Sequence, residues 1–71
     1  MKIDPSKLKV KVEEAIKNEP DLTMAKIAEA AGYRSEVRIY QLQKGKGSNV
    51  NPLIGHALSK ILRCKVSEIT A

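Results

Sequence analysis

Residues 23–44, "TMAKIAEAAGYRSEVRIYQLQK", contain two short apolar patterns on either side of Gly32. The first pattern follows Thr23, a residue type that often caps the start of a helix. Its apolar members are Met24, Ile27, Ala28 and Ala31. Gly32 tolerates the positive φ with which many helices end, so the first helix is expected to stop there. The small alanine side chains of this helix would let a second helix approach closely.

The second pattern follows Ser35, another favourable cap, and ends at Gly45. Its buried pair is Ile39 and Leu42. At about 100° per residue, the opposite side of this helix carries Val37, Tyr40, Gln41 and Lys44, with Arg34 and Arg38 beside them. Guanidinium, amide, ammonium, phenol and aliphatic groups suit the base edges and phosphates of DNA. Two helices around a tight turn, the second exposing such groups, have the layout of a helix-turn-helix, whose second helix enters the major groove.

Three further helical patterns flank this pair. The first has Asp4 as its N-cap and Pro5 at the first helical position, and it ends at residues 18–20 because a proline there cannot continue the helix. Another opens at residues 51–52, and a last short turn covers residues 66–69. No convincing strand pattern is present. We therefore expect an all-α fold, a compact bundle of about five short helices.

The composition limits the chain to one small domain, residues 1–71, near the lower size limit for folding without disulfides or metals. Cys64 is the only cysteine, which excludes an internal disulfide, and no Cys and His pair has zinc-ligand spacing. The core is expected to be aliphatic because the sequence has no Phe or Trp. No apolar run approaches the roughly 18 residues that cross a bilayer. Residues 1–14 lack the apolar region of a signal peptide, so we expect a soluble, cytoplasmic protein.

The net charge of +5 is unevenly distributed along the chain. Residues 1–33 hold six lysines and six acidic residues, which cancel. Residues 34–65 hold seven basic residues and a single acidic one, Glu36. A positive surplus confined to one half of a small domain favours a polyanionic partner over ordinary solubilising charge.

The sequence resembles the phage repressor and Cro-like helix-turn-helix family over residues 22–69. "LTMAKIAEAAG" is similar to the second helix of that family, "IYQLQKGK" to the third, and "ALSKILRCKVSEI" to its closing stretch. Two features depart from the family pattern. The interval from Gly32 to Ile39 is one residue longer than the usual turn, and Arg63 stands where the family usually has glycine.

The resemblance implies a lambda-repressor-like fold and a sequence-specific double-stranded DNA-binding transcriptional regulator, a repressor of the phage type. Such a protein acts in the cytoplasm or nucleoid of a bacterial host and needs no cofactor. The expected base contacts are Arg34, Ser35, Val37, Arg38 and Gln41. The expected phosphate contacts are Thr23, Tyr40, Lys44, Lys46, Ser48, Asn49 and Asn51. The longer turn leaves the exact register of the base contacts open.

Several of these residues have a plainer interpretation. Tyr40 is either a phosphate contact or a rim residue that packs on the fourth helix. Val37 either contacts a base or tucks beneath the elongated turn. Lys44, Lys46 and the polar residues after them either follow the phosphate backbone or form a flexible loop without a partner.

One insertion of a helix into the major groove reads only a few base pairs, so binding as a dimer to an inverted repeat is expected. A weak homodimer would have to use the surface of this same domain. The expected interface residues are Leu53, His56, Val66 and Ile69.

No arrangement typical of an enzyme is present. His56 and Cys64 lie eight positions apart, which on one helix is about 12 Å of axial rise. We expect no catalytic site, no metal site, no cofactor and no small-molecule substrate. The main alternative to DNA binding is a helix-turn-helix protein-interaction module of the antirepressor or antitoxin type. Sequence-independent nucleic-acid binding would predict more basic residues and stacking aromatics.

Overall fold

The computed structural model of the protein describes all residues 1–71 and is mostly helical. The helices are α1 (Pro5–Asn18), α2 (Met24–Ala30), α3 (Val37–Gln43) and α4 (Pro52–Ile61), and a single 3-10 turn covers Val66–Glu68. The all-α fold is confirmed, with four α-helices where about five were expected. None of the helices combines the length and the apolar composition that crossing a membrane requires.

The last pattern forms only one turn because the chain leaves it almost at once. Ile3 and Thr70 form an isolated antiparallel β-bridge, and the Asp4 N–H donates to the Ile69 carbonyl at 2.9 Å. These contacts draw residues 69–70 into an extended path beside residues 3–4. A longer helix at this position would lose them.

The predicted N-caps are present at three helices. The Asp4 carboxylate accepts from the Lys7 N–H at 3.1 Å, and the Thr23 hydroxyl oxygen accepts from the Lys26 N–H at 3.2 Å. Asn51 caps α4 through its side-chain oxygen, which accepts from the Leu53 N–H at 2.8 Å. Each cap satisfies a backbone donor that the first helical turn leaves free.

Helix α3 begins at Val37, two residues after the predicted cap Ser35. The Ser35 hydroxyl still accepts from the Val37 N–H at 3.2 Å, so it orders the start of α3 from outside the helix. The connection from α2 to α3 therefore covers residues 31–36, with Gly32 at a φ of +88°.

The core is aliphatic and joins every element. Helix α3 packs on α1 and α2, α4 packs on α2, and the 3-10 turn contacts α1 and α4. The core side chains are Ile3, Leu8, Val12, Leu22, Ile27, Ala28, Ala31, Ile39, Leu42, Val50, Leu58, Leu62 and Ile69. The buried pair predicted for α3, Ile39 and Leu42, is fully buried.

Residues 1–3 form a part of the core that the sequence patterns did not indicate. Ile3 is fully buried, and its N–H donates to the Ser48 carbonyl at 2.8 Å. On the other edge of the same segment, the Ala71 N–H donates to the Lys2 carbonyl at 3.1 Å. Residues 1–3 thus lie between the loop before α4 and the last residues, and they hold both in place.

Arg63, the residue that departs from the family pattern, has a φ of +53°. This left-handed conformation is the one a glycine would adopt more readily. The side chain compensates at the surface, where its Nε donates to the Glu19 carboxylate at 2.9 Å. The turn after α4 therefore has a left-handed backbone at a residue other than glycine.

Candidate nucleic-acid interface

Helix α3 turns one side to the core and the other to solvent. Its outward side consists of Val37, Tyr40, Gln41 and Lys44, all of them exposed. Val37 retains 55% of its accessible surface and Tyr40 43%. These positions are spaced i, i+3, i+4 and i+7, as one side of a helix requires. The predicted outward side is confirmed, and Val37 is not tucked beneath the turn.

Tyr40 lines a shallow cleft between α3 and the first two helices. The cleft also contains Lys9 and Ile16 of α1 and Met24 of α2. Tyr40 thus borders α1 and α2, the two helices on which α3 packs, and its role as a phosphate contact stays a prediction. Met24 is the first residue of α2, so the Thr23 end of that helix lies beside the outward side of α3.

Arg38 differs from the other residues predicted to contact bases. One guanidinium nitrogen donates to the Lys46 carbonyl at 3.1 Å and the other to the Gly47 carbonyl at 2.8 Å. The guanidinium carbon also lies 5.6 Å from the centre of the Tyr33 ring, within range of a cation–π interaction. Arg38 is thus half-buried against the loop after α3, and both of its terminal nitrogens are already bonded.

Arg34 and Ser35 lie in the connection before α3 and are exposed. Arg34 forms no ion pair, so its guanidinium is free for an external partner. Ser35 remains accessible while its oxygen caps the start of α3. The structure brings both residues to the N-terminal end of α3.

The loop after α3 is tightly bonded, in contrast to the flexible alternative. Gly45 and Gly47 have φ of +83° and +63°, and the Ser48 hydroxyl donates to the Gly45 carbonyl at 3.2 Å. Lys46 is exposed and unpaired. Asn49 is exposed and forms an antiparallel bridge with Lys2.

Asn51 has a structural role that limits it as a phosphate contact. Its side-chain oxygen is committed to the cap of α4. Only the amide nitrogen of this side chain is left for an external acceptor.

The positive charge of residues 34–65 is divided between two places. Arg34, Arg38, Lys44 and Lys46 lie on α3 and its flanking segments, with Glu36 as the only nearby acidic residue in sequence. Lys60, Arg63 and Lys65 instead lie at and beyond the end of α4, where Arg63 pairs with Glu19. No other basic residue of residues 34–65 forms an ion pair.

The four residues predicted for a dimer interface do not share one exposed surface. Leu53 retains 77% of its accessible surface, His56 is exposed and Val66 is half-buried. Ile69 is fully buried, because its side chain completes the core beside the bridge to residues 3–4. The prediction that Ile69 faces a partner subunit is therefore wrong.

Cys64 and His56 are separate in the structure as well. Cys64 packs at the edge of the core, and burial raises the pKa of its thiol, which keeps it protonated at neutral pH. It lines a cleft with Lys11, Glu14, Glu19, Arg63 and Glu68. No group of three or more His, Cys, Asp or Glu side chains is arranged to hold a metal ion.

Sequence reasoning missed two residues that shape this surface. The Gly47 carbonyl accepts from the Arg38 guanidinium, and a Cβ at this position would collide with that group. Tyr33 packs at the edge of the core, and the Arg38 guanidinium lies over its ring. The sequence of residues 45–47, "GKG", was the available signal for this loop conformation, because two glycines so close together favour two positive φ angles.

Comparison of the chain with protein-family models, with curated proteins and with solved structures found no match.

Proposed function

We propose that this protein is a sequence-specific double-stranded DNA-binding transcriptional regulator, in which α2 and α3 act as a helix-turn-helix. The observation that carries the proposal is the outward side of α3. It combines Val37, Gln41 and Lys44 with no carboxylate among them, and it is continuous with the unpaired Lys46 of the next loop. Val37, at 55% exposure, adds an apolar group to this otherwise polar side.

In this proposal α3 lies in the major groove. The Gln41 amide can donate to and accept from one adenine, and Val37 can contact a thymine methyl group. Arg34, exposed and unpaired at the N-terminal end of α3, can reach a guanine. Ser35 can add one hydrogen bond through its hydroxyl. Arg38 is left out of the base contacts because its guanidinium is bonded to the loop.

The surfaces on either side of α3 would hold the phosphates. Lys44 and Lys46 supply ammonium groups, and Ser48 and Asn49 supply polar side chains in the same loop. On another side of α3, Met24 at the start of α2 lines a cleft with Tyr40, and Thr23 precedes it as the N-cap of that helix. Phosphate contacts on both flanks would fix the orientation of α3 without reading sequence.

The decisive experiment is selection of bound sequences from a pool of random duplexes. A regulator of this kind enriches a short motif over the starting pool. The double variant Val37→Ala/Gln41→Ala, which leaves every charge in place, is the matched control and should lose the enrichment at the positions that these two side chains read. If the native chain enriches no motif, the protein-interaction alternative gains, and exposed Val37 and Leu53 would be its first contact candidates.

We further propose that the protein binds an inverted repeat as a weak homodimer whose subunits dock on half-sites about 34–36 Å apart. Leu53 is the most exposed large apolar side chain and the strongest interface candidate, and His56 and Val66 are the other candidates. DNA would favour the pair by raising the local concentration of the second subunit. Sedimentation equilibrium with an inverted-repeat duplex tests this: a saturated complex with one protein per duplex would refute it.

A further inference from the structure

Three successive peptide groups of the loop after α3 have their carbonyl oxygens held by other parts of the chain. The Lys46 and Gly47 carbonyls accept from the Arg38 guanidinium at 3.1 and 2.8 Å. The Ser48 carbonyl accepts from the Ile3 N–H at 2.8 Å. These hydrogen bonds therefore fix the direction in which the carbonyl of each peptide group, 46–47, 47–48 and 48–49, points.

In a trans peptide the N–H points opposite to the carbonyl of the same group, and the chain has no cis peptide. The N–H groups of Gly47, Ser48 and Asn49 therefore point away from Arg38 and Ile3. None of the three donates a hydrogen bond to an acceptor within the chain. Consecutive free N–H groups of this kind form a concave binding site for an anion.

The fit between Arg38 and Gly47 is specific. Gly47 has a φ of +63°, and a Cβ at this position would lie 2.8 Å from one guanidinium nitrogen and 2.9 Å from the other. Any larger residue would push the guanidinium away from the two carbonyls. The loop conformation thus requires both the glycine at position 47 and the two N–H donors of the Arg38 guanidinium.

The side chain at position 38 has to be arginine to bond both carbonyls. A guanidinium presents several N–H groups in a rigid plane and can bond two neighbouring carbonyls at once, whereas a lysine ammonium is a single flexible point. The guanidinium lies over the Tyr33 ring, with its carbon 5.6 Å from the ring centre, and this contact helps to hold the guanidinium in place. Lys46 adds an exposed ammonium next to the free N–H groups.

We propose that Arg38 is a positioning residue that shapes residues 46–49 into an anion-binding loop, whose Gly47 and Ser48 N–H groups bind a phosphate oxygen of the nucleic-acid backbone. The proposal deepens the proposed function and rests on it for the source of the phosphate. The loop itself, however, is a property of the free protein. Its anion can therefore be tested without DNA.

The first experiment titrates the free protein with inorganic phosphate and follows the amide signals of residues 47–49 by NMR. In the native chain the Gly47 and Ser48 signals should shift and saturate together. In Arg38→Lys, which keeps the charge but not the fork, the association constant read from these two signals should fall about tenfold, the effect of losing a hydrogen bond to a charged group. Asn49 should retain an ordered amide, because Ile3 still holds the Ser48 carbonyl.

Two further variants separate positioning from charge and from folding. Lys17→Ala removes one exposed positive charge from α1 without touching the loop, and it should leave the order of residues 46–48 unchanged. Tyr33→Leu keeps every charge but removes the ring, and it should weaken phosphate binding in the same direction as Arg38→Lys. The far-UV circular dichroism of each variant verifies that the helices are retained.

The outcomes are distinct. If Arg38→Lys binds phosphate like the native chain, only charge matters and the proposal is overturned. Equal shifts at Gly47, Ser48 and the backbone around Lys60 and Lys65 would also overturn it, since the loop would then be no better than any basic surface. A phosphate response that Arg38→Lys abolishes, in a protein that enriches no DNA motif, would support the loop and refute the proposed function.

Discussion

Positive charges on two sides of this molecule are balanced in different ways. The first, here called the paired face, consists of Lys11, Glu14, Glu19, Arg63 and Glu68 around one cleft. There the Lys11 ammonium lies 3.5 Å from both Glu14 and Glu68, and Arg63 pairs with Glu19. The second, the unpaired face, consists of Arg34, Val37, Tyr40, Gln41, Lys44 and Lys46. No ion pair occurs on it.

The titration of the paired face reflects this balance. The neighbouring Glu14 and Glu68 carboxylates raise the pKa of Lys11. The pKa of Glu68 is held below its ordinary value, chiefly by the hydrogen bond that its carboxylate accepts from the Lys65 N–H at 2.7 Å. Exposed ion pairs of this kind add little to stability, about 0–1 kcal/mol. Their main consequence is that Lys11 and Arg63 already have partners of opposite charge.

The comparison teaches that the number of basic residues is a poor guide to where a polyanion binds. A lysine that is already between two carboxylates must give up those contacts to bind a phosphate. A lysine such as Lys46, which is exposed and forms no ion pair, gives up only solvent and counterions. The unpaired face is therefore the one that we propose for DNA binding.

The largest expected effect comes from a buried residue that joins the loop after α3 to the last residues of the chain. Ile3 is fully buried and bonded to Ser48 on one side and bridged to Thr70 on the other. Ile3→Ala should lower the free energy of unfolding by about 2–5 kcal/mol, because it removes buried methylene groups and leaves a cavity. Urea denaturation measures the change. Leu53→Ala, at an exposed position, should stay within about 0.5 kcal/mol of the native chain; equal effects would contradict the core role of Ile3.

The second effect concerns base recognition on the unpaired face. Gln41→Ala should cost about 1–3 kcal/mol of binding free energy on the preferred duplex and relax the preference at one base pair. The affinity for a random duplex should hardly change, since no charge is lost. Fluorescence anisotropy with both duplexes measures the two values. A loss of the same size on both would remove Gln41 from the groove.

The third effect separates the two faces by salt dependence. Lys46→Ala should weaken all duplexes and reduce the slope of log affinity against log salt by about one unit, because one phosphate contact and its released counterion are lost. Lys11→Ala removes the same charge from the paired face and should leave the slope nearly unchanged. Anisotropy titrations at several salt concentrations give both slopes. Identical slopes for the two variants would mean that pairing does not decide which charges meet DNA.

The smallest effect is a pH dependence on the paired face. Because the pKa of Glu68 is lowered on folding, its contribution to stability is present above the ordinary carboxyl pKa and is lost as pH falls through the lower, folded value. In urea denaturation, the difference between the native chain and Glu68→Gln should therefore shrink as the pH falls below about 4. Glu13→Gln, at an exposed helix position without an ion pair, is the control. A difference that stays constant down to acid pH would show that Glu68 acts through something other than its charge.

Much of the architecture was readable from local patterns. The caps at Asp4, Thr23 and Asn51 and the stop at Gly32 are determined by neighbouring residues, so the helix starts and ends followed from short stretches. The outward side of α3 followed from helical periodicity alone, since burying Ile39 and Leu42 leaves only one opposite side.

Other features depend on residues far apart in the sequence and had no local signal. Ile3 is a single apolar residue in an extended segment, which has no periodicity to detect, and its partners lie at Ser48 and Thr70. Ile69 was predicted to face a partner subunit, because the short pattern around it gives no local sign that its side chain is buried in the core. The position of Arg38 on α3 predicts a base contact. Helical spacing cannot reveal that the Lys46 and Gly47 carbonyls of the following loop accept hydrogen bonds from its guanidinium.

The sequence by itself determined the helical fold, the aliphatic core and the groups that α3 turns outward, because helix caps and periodicity act over three or four residues. Only the tertiary structure decided which positive charges are free. That depends on whether a carboxylate from another element, such as Glu19 for Arg63 or Glu68 for Lys11, lies within reach. Ion pairs act over a few ångströms in space, and the residues that form them here are up to 57 positions apart in the chain, the separation of Lys11 and Glu68.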